Sequence, residues 1–217
     1  ALGALAKRDG FQAFTPLMAM QNKLATVVAA WLGRVCGQQD VVLAMPQHNR
    51  TQAAVKDVMG LFMEILPLST RVEPTDTFRT LFERVSKGTR AMMRNGGPGR
   101  TRAELLRHRN VVLNVFQGTS VPFDGLQATA QIVPVACSDP GLDLEIEFED
   151  LNGTGTFSAR MVFDQSRFDG PARARTVGHF LPALAAHSAA PGAPIAQLES
   201  LTSGEHAMLA QLRMNAD

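Results

Sequence analysis

Between Thr15 and Gly33 the apolar residues Leu17, Met20, Leu24, Val27, Val28 and Trp31 recur at helical spacing, which predicts a buried amphipathic helix. Thr15 stands where an N-cap belongs and Pro16 at the first helical position, while a shorter helix is expected ahead of it, Leu2 to Asp9, stopped at Gly10. The spacing then changes. Asp40 to Pro46 is a short continuous apolar run, bounded by Gly37 and Pro46, and reads as an interior strand. A polar stretch, Gln47 to Gln52, follows. Leu66, Leu68, Thr70 and Val72 alternate with other residues, as in a strand with one buried face. Asp76 is the expected cap of the next helix, whose stripe is Phe78, Leu81, Phe82, Val85 and Met92.

Asn95-Gly96-Gly97-Pro98-Gly99 ends that helix, and Thr101 with Glu104 sits at capping-box spacing ahead of Leu105 and Leu106. Strands are then expected at Asn110–Gln117, Gln127–Val135, Leu142–Asp150 and Thr156–Asp164, the last two forming a hairpin around Leu151-Asn152-Gly153. Leu142, Leu144, Ile146 and Phe148 face one way and Asp143, Glu145, Glu147 and Glu149 the other, so this sheet has one wet face. Asp169 caps a further helix carrying Val177, Phe180, Leu181 and Leu184, in which Pro182 is expected to make a kink or a break. Residues 189–194 read as a linker, and Thr202 with Glu205 opens a last helix by a second capping box. Helices and strands interleave, which predicts an α/β sandwich with a mixed sheet.

Composition removes several function classes. The chain has 217 residues, enough for one large or two small domains, and 45% of them are hydrophobic. Lys and Arg number 21 against 20 Asp and Glu, so no bulk field draws nucleic acid or an anionic membrane. The longest apolar stretch, Leu24 to Gly33, is about half a bilayer span. Cys36 and Cys137 cannot build a disulfide framework or a zinc site, and no signal-peptide pattern opens the chain, which fits a reducing cytoplasm.

No nucleophile elbow, zinc-protease motif, dinucleotide loop or Cys-x-x-Cys is present. Gly96 to Thr101 has the look of a phosphate loop but lacks the lysine and follows a helix, so a connector is the better reading. None of the five histidines has metal-ligand spacing to another. His179 and His187 lie on a helix in structural roles, whereas His48 follows an interior strand, where α/β sites gather. Glu64 interrupts an apolar run and is either solvent-facing at a strand start or paired. Asn114 shares a strand face with Val112 and Phe116; it is either part of a hydrogen-bond network or lines a polar cavity. Five arginines (Arg94, Arg100, Arg102, Arg107, Arg109) stand against Glu104 alone, forming either a solvated face or a docking patch for an acidic partner.

Taken together, four blocks resemble the C-terminal lobe of a condensation domain from a nonribosomal peptide synthetase. Gly37-Gln-Gln-Asp40-Val-Val-Leu-Ala-Met-Pro46 with Arg50 is similar to the family's G-x-x-D-V-V-x-G-x-P-x-x-x-R. Met59-Gly60-Leu-Phe62-Met-Glu-Ile-Leu66-Pro67-Leu68 resembles I-G-F-F-V-N-T-L-P-L, with Glu64-Ile65 in place of Asn-Thr. Arg109-Asn110-Val-Val-Leu-Asn-Val-Phe116-Gln117 is like R-N-P-L-F-Q-V-x-F. Met161 to Asp169, running on to His179-Phe180, is like Y-N-x-x-L-F-D ahead of a closing helix, and Leu198 to Asn215 looks like the segment that leads to a following domain. The family's H-x-x-x-P segment is replaced by Asn95-Gly96-Gly97-Pro98.

The resemblance implies a chloramphenicol-acetyltransferase-like fold, one lobe of a two-lobed domain with a reaction tunnel between the lobes. Residues 1–188 would form the lobe and 189–217 a linker and exit helix. It implies amide formation between a carrier-bound acyl donor and a carrier-bound aminoacyl acceptor. The family's His-His-x-x-x-Asp-Gly signature has no counterpart here, so no catalytic residue is assigned and the chain alone is expected to be inactive. Arg50 matches the arginine that pairs with the signature Asp across the lobe boundary, a structural brace. His48, Asn114 and Phe116 are candidate tunnel-wall residues, and Arg100, Arg102 and Arg107 candidate carrier-docking residues. The implied partners are the N-terminal lobe, donor and acceptor carrier proteins and the following synthetase domain, with no nucleic acid and no membrane. No cofactor or metal is bound directly; phosphopantetheine arms arrive on the carriers. The loop from His48 to Thr51 looks more like starter-type domains, which take a fatty acyl donor. A non-catalytic carrier-docking module of the same fold and a coenzyme A-dependent acyltransferase are the alternatives.

Overall fold

A computed structural model describes residues 10–50, 53–96, 109–118, 125–126, 131–133, 141–198 and 201–214. Its first helix, α1 (Pro16–Val35), begins where the pattern predicts, with the Thr15 hydroxyl accepting from the Met18 N–H. Met20 and every residue from Asn22 to Leu32 are buried, so α1 is enclosed on nearly its whole circumference rather than along a stripe. Buried Asn22 donates to the Ser86 hydroxyl at 3.2 Å, and Trp31 meets Phe180 edge-on at 5.3 Å between centroids.

A five-stranded mixed sheet lies against α1, in the order β2-β1-β3-β4-β5. Its strands are β1 (Asp40–Gln47), β2 (Glu64–Arg71), β3 (Val111–Gln117), β4 (Leu144–Asp150) and β5 (Ser158–Phe163). Strand β1 is antiparallel to β2 and parallel to β3; β3 is parallel to β4, and β4 antiparallel to β5. Pro46 does not end β1 as expected: the strand runs on to Gln47 against β2, and its pairing with β3 is confined to Ala44 and Val112. Pro67 sits on the edge strand, where a missing ladder donor is tolerated. The strand expected over Gln127–Val135 falls largely outside the described residues, and 131–133 within it are not strand.

Helices α3 (Phe78–Asn95) and α4 (Gly170–Ala189) join α1 on one face of the sheet; a single turn, α2 (Ala53–Lys56), follows β1. The core on that face joins Leu43, Met45, Leu66, Leu68, Leu113, Ile146 and Phe148 of the strands to the helices. Helix α4 passes through Pro182 as one element, so the expected break does not occur, and Asp169 caps it through the Ala172 N–H at 2.7 Å. His187 on α4 is buried, more enclosed than its amphipathic helix suggested, and burial pushes its pKa down.

Asp76 has a different role from the expected cap. Thr77 caps α3 in a capping box with Thr80, which leaves the Asp76 carboxylate free to receive the Arg84 guanidinium at 2.6 and 3.0 Å. It also accepts from the Glu73 N–H and the Thr80 hydroxyl, and its own carbonyl takes the Ile195 N–H at 2.7 Å. Residues 189–194, read as a linker, therefore lead into a segment held on the body: Ile195 is buried, and Arg34 donates to the Ile195 and Leu198 carbonyls. The last helix, α5 (Ser203–Met214), opens with the expected capping box and is tied to α4 by His179 and Glu205 at 2.7 Å. Bonds from the Thr202 backbone and hydroxyl, with His179, hold the Glu205 carboxyl at about 2.

Burial pushes the Asp76 pKa up, but the Arg84, Glu73 and Thr80 bonds outweigh it and the net shift is downward. Replacing Asp76 by Ala should cost about 2 kcal/mol in urea unfolding at neutral pH, less than for a fully buried pair because Arg84 stays partly in water. A lowered folded-state pKa means this stability is complete above the unfolded value of about 4 and lost as pH falls through the folded one. An unfolding midpoint of the Asp76→Ala protein that tracks the parent at neutral pH would exclude the network as a stabilising element.

Candidate functional site

Because the helices lie on one face of the sheet, alternation sends a second set of side chains to the other. This second face, called open because no described helix packs on it, carries Pro67 of β2, Val42 and Ala44 of β1, Val112, Asn114 and Phe116 of β3, the glutamates of β4, and Arg160 and Val162 of β5; Ala44 and Val112 are nonetheless buried there. Register aligns Asn114, Glu147 and Arg160 in one row across three strands. Arg160 donates through Nε to Glu147 Oε2 at 2.5 Å, and Nη2 also meets that oxygen; both side chains are largely shielded. Asn114 and Phe116 are half-buried, so the structure places both on a partly covered surface of mixed polarity.

Asp150 fixes the end of β4. Its buried carboxylate accepts from Gln117 at 2.9 Å and from the N–H groups of Thr154 and Gly155 at 2.8 Å each. Burial raises its pKa, these bonds lower it, and the bonds prevail. The hairpin expected around Asn152 is thereby a longer loop wound around one carboxylate.

The loop after β1 is the most organised part of this side. His48 is exposed, and its Nδ1 accepts from the Arg50 N–H at 2.9 Å, as turn chemistry would have it. Asn49 adopts a left-handed conformation, φ 53°, and donates through its amide to the Phe62 carbonyl at 2.9 Å. Arg50 reaches three carbonyls, Val55 at 2.8 Å, Val58 at 2.5 Å and Gly60 at 2.8 Å, and its guanidinium lies over the Phe62 ring at 4.5 Å. Around this centre the loop exposes Val58, Leu61, Met63 and above all Met59, which is 97% exposed. Glu64, at the first position of β2, is half-buried and paired in register with Gln47.

Arg50, His48, Asn114 and Phe116 thus all lie on described elements, whereas Arg100, Arg102 and Arg107 fall outside the described residues. Sequence reasoning missed the Glu147–Arg160 pair and the Arg50–Phe62 stack. The first was half legible in the alternation of β4; the second had no sequence signal. Among the described residues no group of three or more His, Cys, Asp or Glu side chains could hold a metal, and no helix is long and apolar enough to cross a membrane.

A mixed five-stranded sheet with helices on one face and a braced loop at the other defines an α/β body of the kind seen in condensation domains. The condensation-domain family model matches residues 17–210. Phosphinothricin tripeptide synthetase PhsC of Streptomyces viridochromogenes is 30% identical over 94% of this chain and 19% of its own length. The first condensation domain of the calcium-dependent antibiotic synthetase, in complex with a substrate analogue, superposes with a TM-score of 0.66 at 24% identity, over 93% of this chain and 44% of that one. A double mutant of the starter condensation domain of rhizomide synthetase RzmA, solved with C8-CoA and Leu-SNAC, gives 0.72 at 21% identity over 84% and 43%. The chain belongs to the condensation-domain family. It spans under half of the solved domains and about a fifth of PhsC.

The loop geometry yields a direct expectation. Arg50→Met should raise amide hydrogen exchange from Lys56 to Phe62 about tenfold, the loss of roughly 1.4 kcal/mol of local stability. Arg50→Lys should restore only part of it, since an ammonium lacks the planar fork that spans three carbonyls. Unchanged exchange in Arg50→Met would mean the loop is ordered by something else.

Proposed function

We propose that this chain is the C-terminal lobe of a nonribosomal peptide synthetase condensation domain, contributing to amide formation between a carrier-bound acyl donor and a carrier-bound aminoacyl acceptor. The observation that carries this reading is the uneven coverage of the sheet: helices enclose one face, and the other presents a half-buried polar row beside a pre-ordered loop. Such a face suits a second lobe, with Asn114, Phe116 and His48 in the wall of a tunnel between the two. The matched lengths support this, since the solved relatives are a little more than twice as long.

Arg50 is a positioning residue in this reading. A guanidinium has five N–H donors. The loop takes three bonds, two from Nη1 and one from Nη2, which leaves Nε–H and the second Nη2–H for a carboxylate presented by the other lobe. The carbonyls orient the fork in advance, so pairing costs little further ordering. Residues 1–188 form the lobe and 189–217 the exit toward a following domain, with the exit hugging the lobe as far as Leu198. Carriers dock through Arg100, Arg102 and Arg107 and bring phosphopantetheine arms, and the reaction takes place in the cytoplasm. The starter-type neighbour solved with C8-CoA supports a fatty acyl donor.

Proton transfer and alignment both need the missing His-bearing lobe. The 217-residue chain mixed with loaded donor and acceptor carriers should therefore give no amide by mass spectrometry. Amide from the chain alone would overturn the division of labour. The decisive observation is the coding sequence immediately upstream of Ala1. A His-His-x-x-x-Asp-Gly within a similar-sized lobe supports the reading; a start codon or an unrelated domain there would leave a non-catalytic docking module in its place.

A further inference from the structure

Several arginines of this molecule are held by polar partners. Arg34 and Arg50 hold carbonyls, while Arg71, Arg84, Arg160 and Arg167 meet carboxylates. Helix α3 carries both kinds, Arg84 paired with Asp76 and a row of other cations outside it. Its exposed residues Arg79, Glu83, Lys87, Arg90 and Arg94 fall within about 80° of its circumference at 100° per residue, a straight ridge about 22 Å long. Among the described residues Arg79, Lys87, Arg90 and Arg94 make no ion pair, and Glu83 is the one acid on the ridge. Arg79 rests over the Phe11 ring at 4.9 Å. A groove of about 470 Å³ runs beside the ridge, lined by Phe11, Arg79, Phe82, Glu83 and Arg90 among others.

We propose that the α3 ridge docks an acidic amphipathic helix of a protein partner. Charge complementarity selects the class. Four unpaired cations in one row match carboxylates repeated on one face of a second helix, and their rigid backbone sets the register. A nucleic acid would need a broad field, which a chain of net charge +1 with Glu83 inside the row does not provide. A membrane surface would need apolar side chains on the ridge itself, and it has none. This surface is separate from the open sheet face, on the helical side of the molecule.

The test uses the 217-residue chain and a fluorescent peptide helix of about 20 residues, with glutamates at i, i+8, i+11 and i+15. A peptide of the same composition with its glutamates spread round all faces is the control. The patterned peptide should bind, weaken steeply with salt, and lose about tenfold affinity or more with Arg90→Glu/Arg94→Glu. Arg213→Glu, an exposed cation on α5, should leave binding unchanged, and circular dichroism should show all variants folded. Equal binding of the scrambled peptide, indifference to the double reversal, or tighter binding of a short DNA duplex or anionic vesicles would each overturn the proposal. None of these outcomes bears on the tunnel reading, because no ridge residue belongs to the open sheet face.

Discussion

Everything else in this fold follows from the need to enclose α1. A helix buried at every position from Asn22 to Leu32 has no face to offer water, so it must be walled on all sides. The sheet supplies one wall through Leu43, Met45 and Leu113; α3 and α4 supply the others through Phe78, Leu81, Phe180 and Leu184. Even Ile195 of the C-terminal segment enters this core, which is why the chain beyond α4 stays on the body instead of leaving at Ala190. Concentrating the helices around α1 puts them on a single face of the sheet, and among the described residues no helix packs on the opposite face, where Ala44 and Val112 are nonetheless buried.

That open face explains the polar chemistry of β3, β4 and β5. On a sheet sandwiched between two helical layers, Glu147 and Asn114 would carry a large desolvation cost. Here Glu147 is partly shielded but matched by Arg160 from the neighbouring strand, so the charge is balanced before anything covers it. The apolar side chains of Met59 and Leu61 stay exposed on a loop that Arg50 holds through its carbonyls.

Most of the element positions were legible because each is marked by its own residues. Thr15-Pro16 and Asp169 start their helices where local capping chemistry says they should, and the alternation of Leu144, Ile146 and Phe148 gives the buried face of β4 directly. The errors arose where a distant partner overrode the local pattern. Asp76 has the right side chain for a cap, but Arg84 two turns along α3 and Ile195 far along the chain claim it, and Thr77 takes the capping role instead. Pro182 reads as a kink or a break, and α4 runs through it as one element, so the break does not occur. The candidate site divided the same way. Asn114 and Phe116 could be placed on one face by parity alone. Their alignment with Glu147 and Arg160 depends on a parallel crossover and on a loop wound around Asp150, neither of which leaves a local trace.

Arg50 shows how an arginine can order the loop that carries it. Free in solution, its long side chain and the residues from Val55 to Phe62 would each carry substantial conformational entropy. Ring stacking on Phe62 fixes the plane of the guanidinium, three carbonyls fix its rotation, and the left-handed Asn49 fixes where the side chain departs. The loop and the arginine therefore order each other within this chain, before any second body arrives. A lysine at this position could neutralise a carboxylate but could not hold the loop, and an apolar residue could do neither. The identity of residue 50 is thus set by an internal demand visible in these hydrogen bonds, which still leave two of its N–H groups unused by the loop.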